Sequence, residues 1–350
     1  MSSGKLNFKK ILNRLILFVA LGVGAHVAFV LSTTERSLLN YLGELSVLHL
    51  LTILVLIICP WLGYALRIRM WSAFLNEKIS YGDAVRVVIT ADVASALSPT
   101  SVGGAPVKAA LLLNRGYASG SVGFMLTYGV IEDIIFYTTG IVLAGFFSSG
   151  LLTDIWSELY SFMAENINTI SVIIFILAFY ILMIRMNAIP AYLKITHYLP
   201  QRLKLLITKA KAKLYNSIQG MKSNFTLVWQ HGKLRMVFSF AVLLLQWMAK
   251  FSVLIVILHA FNIDFEAIQI YIRQWVIFVT MLFIPTPGAS GGAEASFLLI
   301  FGKSIPSDIA YLVVSVWRLF TYYFILLMAA ILYTLLSFFV ERKEEIVINE

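Results

Sequence analysis

The chain has 350 residues, 60% of them hydrophobic and only 13% charged, with a mean hydropathy of +0.86 and a formal net charge of +9. Soluble domains are roughly 45–50% apolar and about 25% charged, so this composition excludes water-soluble domains and a disordered chain. It also excludes a disulfide-built secreted fold, because the one cysteine, Cys59, has no internal partner and lies in an apolar run. The expected class is an all-α polytopic membrane protein.

A helix needs about 20 apolar residues to cross the hydrocarbon core. Six segments meet that length: 11–32, 45–66, 121–148, 167–186, 236–260 and 309–340. The first is too long for the apolar core of a secretory signal and no clear small-residue cleavage site follows it, so it is expected to be an uncleaved anchor. Two further apolar stretches, about 80–115 and about 267–302, are interrupted by Pro and Gly. They are expected to be broken, re-entrant hairpins.

Orientation follows from the basic residues in short loops. The N-terminal arm holds Lys5, Lys9, Lys10 and Arg14 without an acid, and Arg67, Arg69 and Lys78 follow the second span. From Arg185 to Arg235 there are ten basic residues and no Asp or Glu, whereas Asp154, Glu158, Glu165, Asp264 and Glu266 mark the opposite loops. Both termini are therefore expected in the cytoplasm, with the chain multi-pass in the plasma (inner) membrane. Within the basic segment, Leu203, Leu206, Ile207, Ala210, Leu214, Ile218, Met221 and Phe225 recur at helical spacing among lysines. An amphipathic helix at about 200–228 is expected on the anionic inner leaflet. It accounts for most of the net charge, and no nucleic-acid partner is expected.

The two interrupted stretches resemble each other. Pro99-Thr-Ser-Val-Gly103-Gly104-Ala105 and Pro287-Gly288-Ala-Ser-Gly291-Gly292-Ala293 share Pro-x-x-x-Gly-Gly-Ala, and Pro285 precedes the second. Loop charges have the first enter and leave on the cytoplasmic side and the second on the outside. Each half then holds two spans, a broken hairpin and a closing span, an inverted repeat of the kind seen in transporters. The expected division is 1–155, 156–340 and a cytoplasmic tail, 341–350. Pro ends a half-helix and Gly permits close backbone approach. The next half-helix then points unpaired N–H groups inward, which favours an anion. Tight packing of the halves alone would explain the same glycines.

Ionisable residues at membrane depth cost on the order of 2.5–3.5 kcal/mol each on insertion scales and so face a cavity or a partner. Asp92, Lys108, Glu132, Asp133, Lys250, Glu294 and Arg318 are such residues. Lys108 and Arg318 are expected to hold an anionic headgroup, balanced by Glu132, Asp133 and Glu294, with Asp92 and Lys250 as possible coupling groups. An ion-pair network locking the halves, with Glu132 against Arg318, is the alternative. Gln246 and Trp247 are expected to pack rather than bind ligand, while Tyr322 and Tyr323 sit where they could stack on a headgroup. The five histidines show no metal-ligand spacing, and neither a metal nor a cofactor is expected.

In order along the chain, Arg69-Met-Trp-Ser-Ala-Phe-Leu75, Leu97-Ser-Pro-Thr-Ser-Val-Gly-Gly104 continuing to Lys108, Glu132-Asp133, Pro285-Thr-Pro-Gly-Ala-Ser-Gly-Gly-Ala-Glu294 and Trp317-Arg-Leu-Phe-Thr-Tyr-Tyr323 resemble the membrane region of lysylphosphatidylglycerol synthases and its stand-alone UPF0104 relatives. That resemblance implies movement of a polar-headed lipid between leaflets, such as an aminoacylated phospholipid, a glycolipid or a polyprenyl-linked lipid. Many members carry Glu where Ala105 stands here, and no counterpart of the soluble aminoacyl-transferase domain of the fused synthases is expected. The chain is thus expected to be a lipid translocator rather than an enzyme. The alternatives are a headgroup or sugar transferase component, or a membrane partner of a separate lipid synthase.

Overall fold

The computed structural model describes residues 43–98, 103–147, 150, 153, 201–282, 284, 286, 288–302, 304–306, 309–329 and 331. Among these the regular structure is all helical, with no strand. In chain order the helices are α1 (Val47–Phe74), α2 (Tyr81–Leu97), α3 (Gly104–Asn114), α4 (Ser119–Phe147), α5 (Gln201–His231), α6 (Lys233–Ala260), α7 (Ala267–Met281), α8 (Gly292–Phe301) and α9 (Ala310–Arg318). A π-helical turn, Leu319–Tyr323, carries α9 onward, so that Ala310–Ala329 forms one long apolar helix. Among the described residues, four helices are long and apolar enough to cross a membrane: α1, α4, α6 and Ala310–Ala329. The expected spans at 11–32 and 167–186, and the division near residue 155, lie outside the described residues.

Local chemistry sets the helix ends. Ser46 and Ser80 cap α1 and α2, their hydroxyls accepting from the backbone N–H groups of His49 at 3.3 Å and Asp83 at 3.1 Å. Asn76, Gly116 and Asn262 adopt positive φ just beyond α1, α3 and α6. The next N–H in each case reaches back to Ser72, Leu112 or Leu258, which closes the helix and reverses the chain.

Apolar stripes decide what each span faces. On α4 every fourth residue is buried: Phe124, Tyr128, Glu132, Phe136, Gly140 and Ala144. Val130, Ile134, Ile141 and Val142 on the other side are exposed. A helix apolar all round, buried on one side only, turns its other side to lipid. Helix α1 shows the same stripe in Ile53, Ile57, Trp61, Ala65, Ile68 and Trp71. That stripe continues past Leu66, where the apolar run was expected to end. Arg67 and Arg69 are thus inside a 28-residue helix rather than in a loop.

Two short helix pairs pack among the long ones. The α2–α3 pair is held at its open end by Asp83, whose carboxylate accepts from Arg115 at 3.0 Å, Arg86 at 3.3 Å and the Ser80 hydroxyl at 2.7 Å. Asp83 stands in the first turn of α2, outside the four long apolar helices. The Arg115 hydrogen bond, more than any other influence, holds its carboxyl below the usual carboxylate range. The α7–α8 pair joins α6 and α9 in the main core, where Phe251, Phe278, Phe297 and Trp317 interlock.

Small residues set the closest crossings. A Cβ at Gly120 of α4 would lie 2.7 Å from the backbone of Gly220 on α5, and one at Gly140 would lie 2.3 Å from the Trp275 ring on α7. The amphipathic helix is therefore packed on α4 along its C-terminal half. Ser217 donates to the Ser119 carbonyl at 3.2 Å, and Phe225 meets Phe124 edge to face at 4.9 Å between centroids.

Candidate functional site

Two adjoining cavities lie between these helices, of about 360 and 280 Å³. The larger is lined by α1, α2, α3, α4 and α6, and holds Arg67, Asp92, Lys108, Glu132, Asp133 and Lys250. The smaller lies towards α7 and α9 and holds Asp92, Lys250 and Arg318, with Gly288, Trp317 and Tyr322. Six of the seven ionisable residues singled out in the sequence thus line one cavity or both. The seventh, Glu294, is bonded to Arg318.

The partners differ from those expected. Glu132 is paired with Arg67, in contact and buried on both sides, and not with Arg318. Arg67 also donates to Ser239 Oγ at 3.2 Å and to Gln246 Oε1 at 3.4 Å. Gln246 in turn donates to the Pro60 carbonyl at 2.6 Å. Gly63 leaves room for this, since a Cβ there would meet the Gln246 side chain at 2.7 Å. Gln246 is therefore part of a buried polar network rather than plain packing. The signal for Arg67 was present in the α1 stripe, which runs through it.

Arg318 is almost wholly buried and donates through Nε to Glu294 Oε1 at 2.8 Å and through Nη2 to the Gly288 carbonyl at 2.9 Å. The other Glu294 oxygen accepts from the Gly291 N–H at 2.7 Å. The N-terminus of α8, expected to favour an anion, thus already has a carboxylate. Gly288, at φ +60°, faces Tyr322 so closely that a Cβ would lie 2.1 Å from the ring. Tyr322 lies under the Arg318 guanidinium, 4.6 Å from ring centroid to Cζ, and its hydroxyl donates to the Ala96 carbonyl of α2 at 3.0 Å. This tyrosine supports Arg318 and ties α9 to the first helix pair.

The tip of the first pair is closed differently. The Gly103 N–H donates to Ser98 Oγ at 2.7 Å, and Gly104 lies so near Ser95 and the Ala91 carbonyl that any Cβ would collide. Gly104, Ala105 and, one turn on, Lys108 line the larger cavity. Gly292 is similarly crowded by Ile284. Pro99, Pro285 and Pro287 lie outside the described residues.

Lys108 and Lys250 stand apart from the paired cations. Neither has a carboxylate within 4.0 Å among the described residues. Each rests on aromatic faces instead, Lys108 on Tyr64 at 5.6 Å and Lys250 on Trp247 and Phe278 at 5.0 and 4.6 Å. Such faces stabilise a cation while leaving its N–H donors free. Asp92 accepts from Trp61 Nε1 at 2.8 Å. Among the described residues, no three His, Cys, Asp or Glu side chains converge as a metal site requires.

Long apolar helices around a charged interior define a polytopic membrane protein with a polar chamber inside its helical bundle. The profile of the family described as the lysylphosphatidylglycerol synthase TM region matches residues 15–329, and the chain belongs to that family. It is also 23% identical over 305 residues, covering 85% of this chain and 90% of the relative, to a UPF0104 membrane protein of Archaeoglobus fulgidus. No solved structure matches the chain.

Proposed function

We propose that this protein moves a polar-headed lipid between the leaflets of the plasma membrane, with the headgroup carried in the two adjoining cavities. The observation that supports this most is the chamber itself. Six ionisable residues from α1, α2, α3, α4 and α6 surround about 360 Å³ of space inside helices whose outer faces are apolar. A purely structural network would consume its charges pairwise, but Lys108 and Lys250 have no carboxylate partner among the described residues. Lys108 and Arg318 are headgroup-binding residues in this reading, with Glu132, Asp133 and Glu294 balancing charge.

The finer architecture belongs to the same proposal. The chain has six spans, and the α2–α3 and α7–α8 pairs are the re-entrant hairpins of an inverted repeat entering from opposite sides. Their short helices, 17 and 11 residues in one pair and 15 and 10 in the other, are at most about 26 Å long at 1.5 Å per residue, short of a hydrocarbon core of about 30 Å. Both termini are cytoplasmic, and the amphipathic α5 rests against anionic headgroups of the inner leaflet.

Native mass spectrometry of the purified protein beside Arg318→Ala and Glu294→Gln tests this. The wild type is expected to retain one lipid headgroup class that the folded variants lose. Equal bulk lipid on all three would set the translocator aside and move the role of membrane partner to a lipid synthase ahead.

A further inference from the structure

The two cavities have part of their walls in common. They share Asp92, Ser95, Trp247, Lys250, Thr321 and Ile325. Lys250 is the one cation common to both among the described residues; Lys108 and Arg67 line only the larger and Arg318 only the smaller. It is half-buried, rests on Trp247 and Phe278, and has no carboxylate within 4.0 Å among the described residues. Beside it, the indole N–H of Trp247 is buried and has no hydrogen-bond acceptor. The same holds for the indole N–H of Trp317, which lines the smaller cavity. An ammonium and an indole N–H are donors only, and an unsatisfied buried donor needs a reason. The Lys250 ammonium, and indole donors on two residues that line the cavities, suit a ligand whose surface is all acceptor, namely a phosphate group. Asp92, the one carboxylate common to both cavities among the described residues, accepts from Trp61.

We propose that Lys250, with the indole N–H of Trp247, is the point at which a headgroup phosphate passes from the larger cavity to the smaller. This rests on the translocation reading and adds the recognised moiety and the residue that transfers it. Lys108 lines the larger cavity and Arg318 the smaller, with Lys250 in the wall they share. A phosphate therefore meets a cation in the larger cavity, at the shared wall and in the smaller cavity, where Arg318 is held by Glu294 until displaced. The aromatic faces hold the Lys250 ammonium in place while leaving its N–H bonds for the ligand.

The test uses the full-length protein in vesicles of phosphatidylcholine and phosphatidylglycerol, with fluorescent phosphatidylglycerol as one probe and a fluorescent, phosphate-free glucosyl diacylglycerol as the other. Leaflet exchange is read by quenching of the outer leaflet. Lys250→Gln is expected to slow the phosphate probe about tenfold or more and to leave any movement of the glucosyl probe at the wild-type rate. Lys250→Arg is expected to restore most of the loss, and Trp247→Phe, which keeps an aromatic face and removes the N–H, to slow the phosphate probe alone. Equal slowing of both probes by Lys250→Gln, or no slowing of either, would overturn the transfer role. A wild type that moves neither probe would overturn the translocation reading itself, and the transfer role with it. Millimolar inorganic phosphate that slows the wild type shows that the free anion enters the same passage. No slowing shows that the phosphate is accepted only as part of a lipid.

Discussion

Arg67 and Glu132 form the buried ion pair on which the larger cavity is built. Removing one member of such a pair leaves a buried charge uncompensated, which costs about 3–5 kcal/mol, while replacing both with apolar groups is often neutral. Arg67→Met is therefore expected to lower the melting temperature of the purified protein sharply. The double variant Arg67→Met with Glu132→Leu is expected to recover most of that loss while losing the headgroup retained by the wild type. Thermal unfolding followed by size-exclusion chromatography separates the two outcomes: a double variant no more stable than the single one would show that the pair is not the source of the loss. Arg67 also shows where single-sequence reasoning stops. It stands after the apolar run that ends at Leu66 and so counts as a loop charge, although Trp61, Ala65, Ile68 and Trp71 continue the buried stripe past it. Glu132 was legible as costly at its depth, but its partner was not. Glu132 meets Arg67 through the crossing of α1 and α4, 65 positions apart in sequence, and no spacing rule reports such a crossing.

At the scale of elements, glycine crossings and capped ends carry the testable content. Gly120 meets the backbone of Gly220, which cannot move aside as a flexible side chain can. Gly120→Val is expected to cost about 1–3 kcal/mol by overpacking and to expose α5 to limited proteolysis. An unchanged cleavage pattern would mean that α5 does not depend on this crossing. Asp83 fastens the open end of the α2–α3 pair. Its carboxyl is held below the ordinary range, so its contribution is complete above the unfolded value of about 4 and is lost as pH falls through the lower folded value. Because the Asp83–Arg115 pair is partly exposed, that contribution is under about 1 kcal/mol. Asp83→Asn is expected to destabilise the protein slightly at neutral pH and to make no difference at the acid extreme, as melting temperature against pH would show. The broken helices were legible from Pro and Gly flanked by apolar runs, and their described ends fall at 81, 114, 267 and 301. The role of Tyr322 was not, because its contacts with Gly288 and Ala96 come from remote parts of the chain.

Over the whole molecule, composition alone indicated a helical membrane protein, and loop charges gave an orientation that can be measured. In a Cys59→Ser background, Asn262→Cys between α6 and α7 is expected to react with a membrane-impermeant maleimide on intact cells. His231→Cys between α5 and α6 is expected to react only after lysis. The reverse pattern would invert the orientation. Composition could not show how the charges divide between two cavities, since that depends on which helices meet.

The carboxylate of Glu294 already occupies both Arg318 and the first turn of α8. An anion arriving at Arg318 therefore does not fill an empty seat; it replaces an incumbent. Net affinity for an anion at Arg318 is a difference between two similar interactions, small whatever the strength of either. If the proposed translocation holds, such weak, reversible tenure serves it: the same exchange that admits a cargo also evicts it.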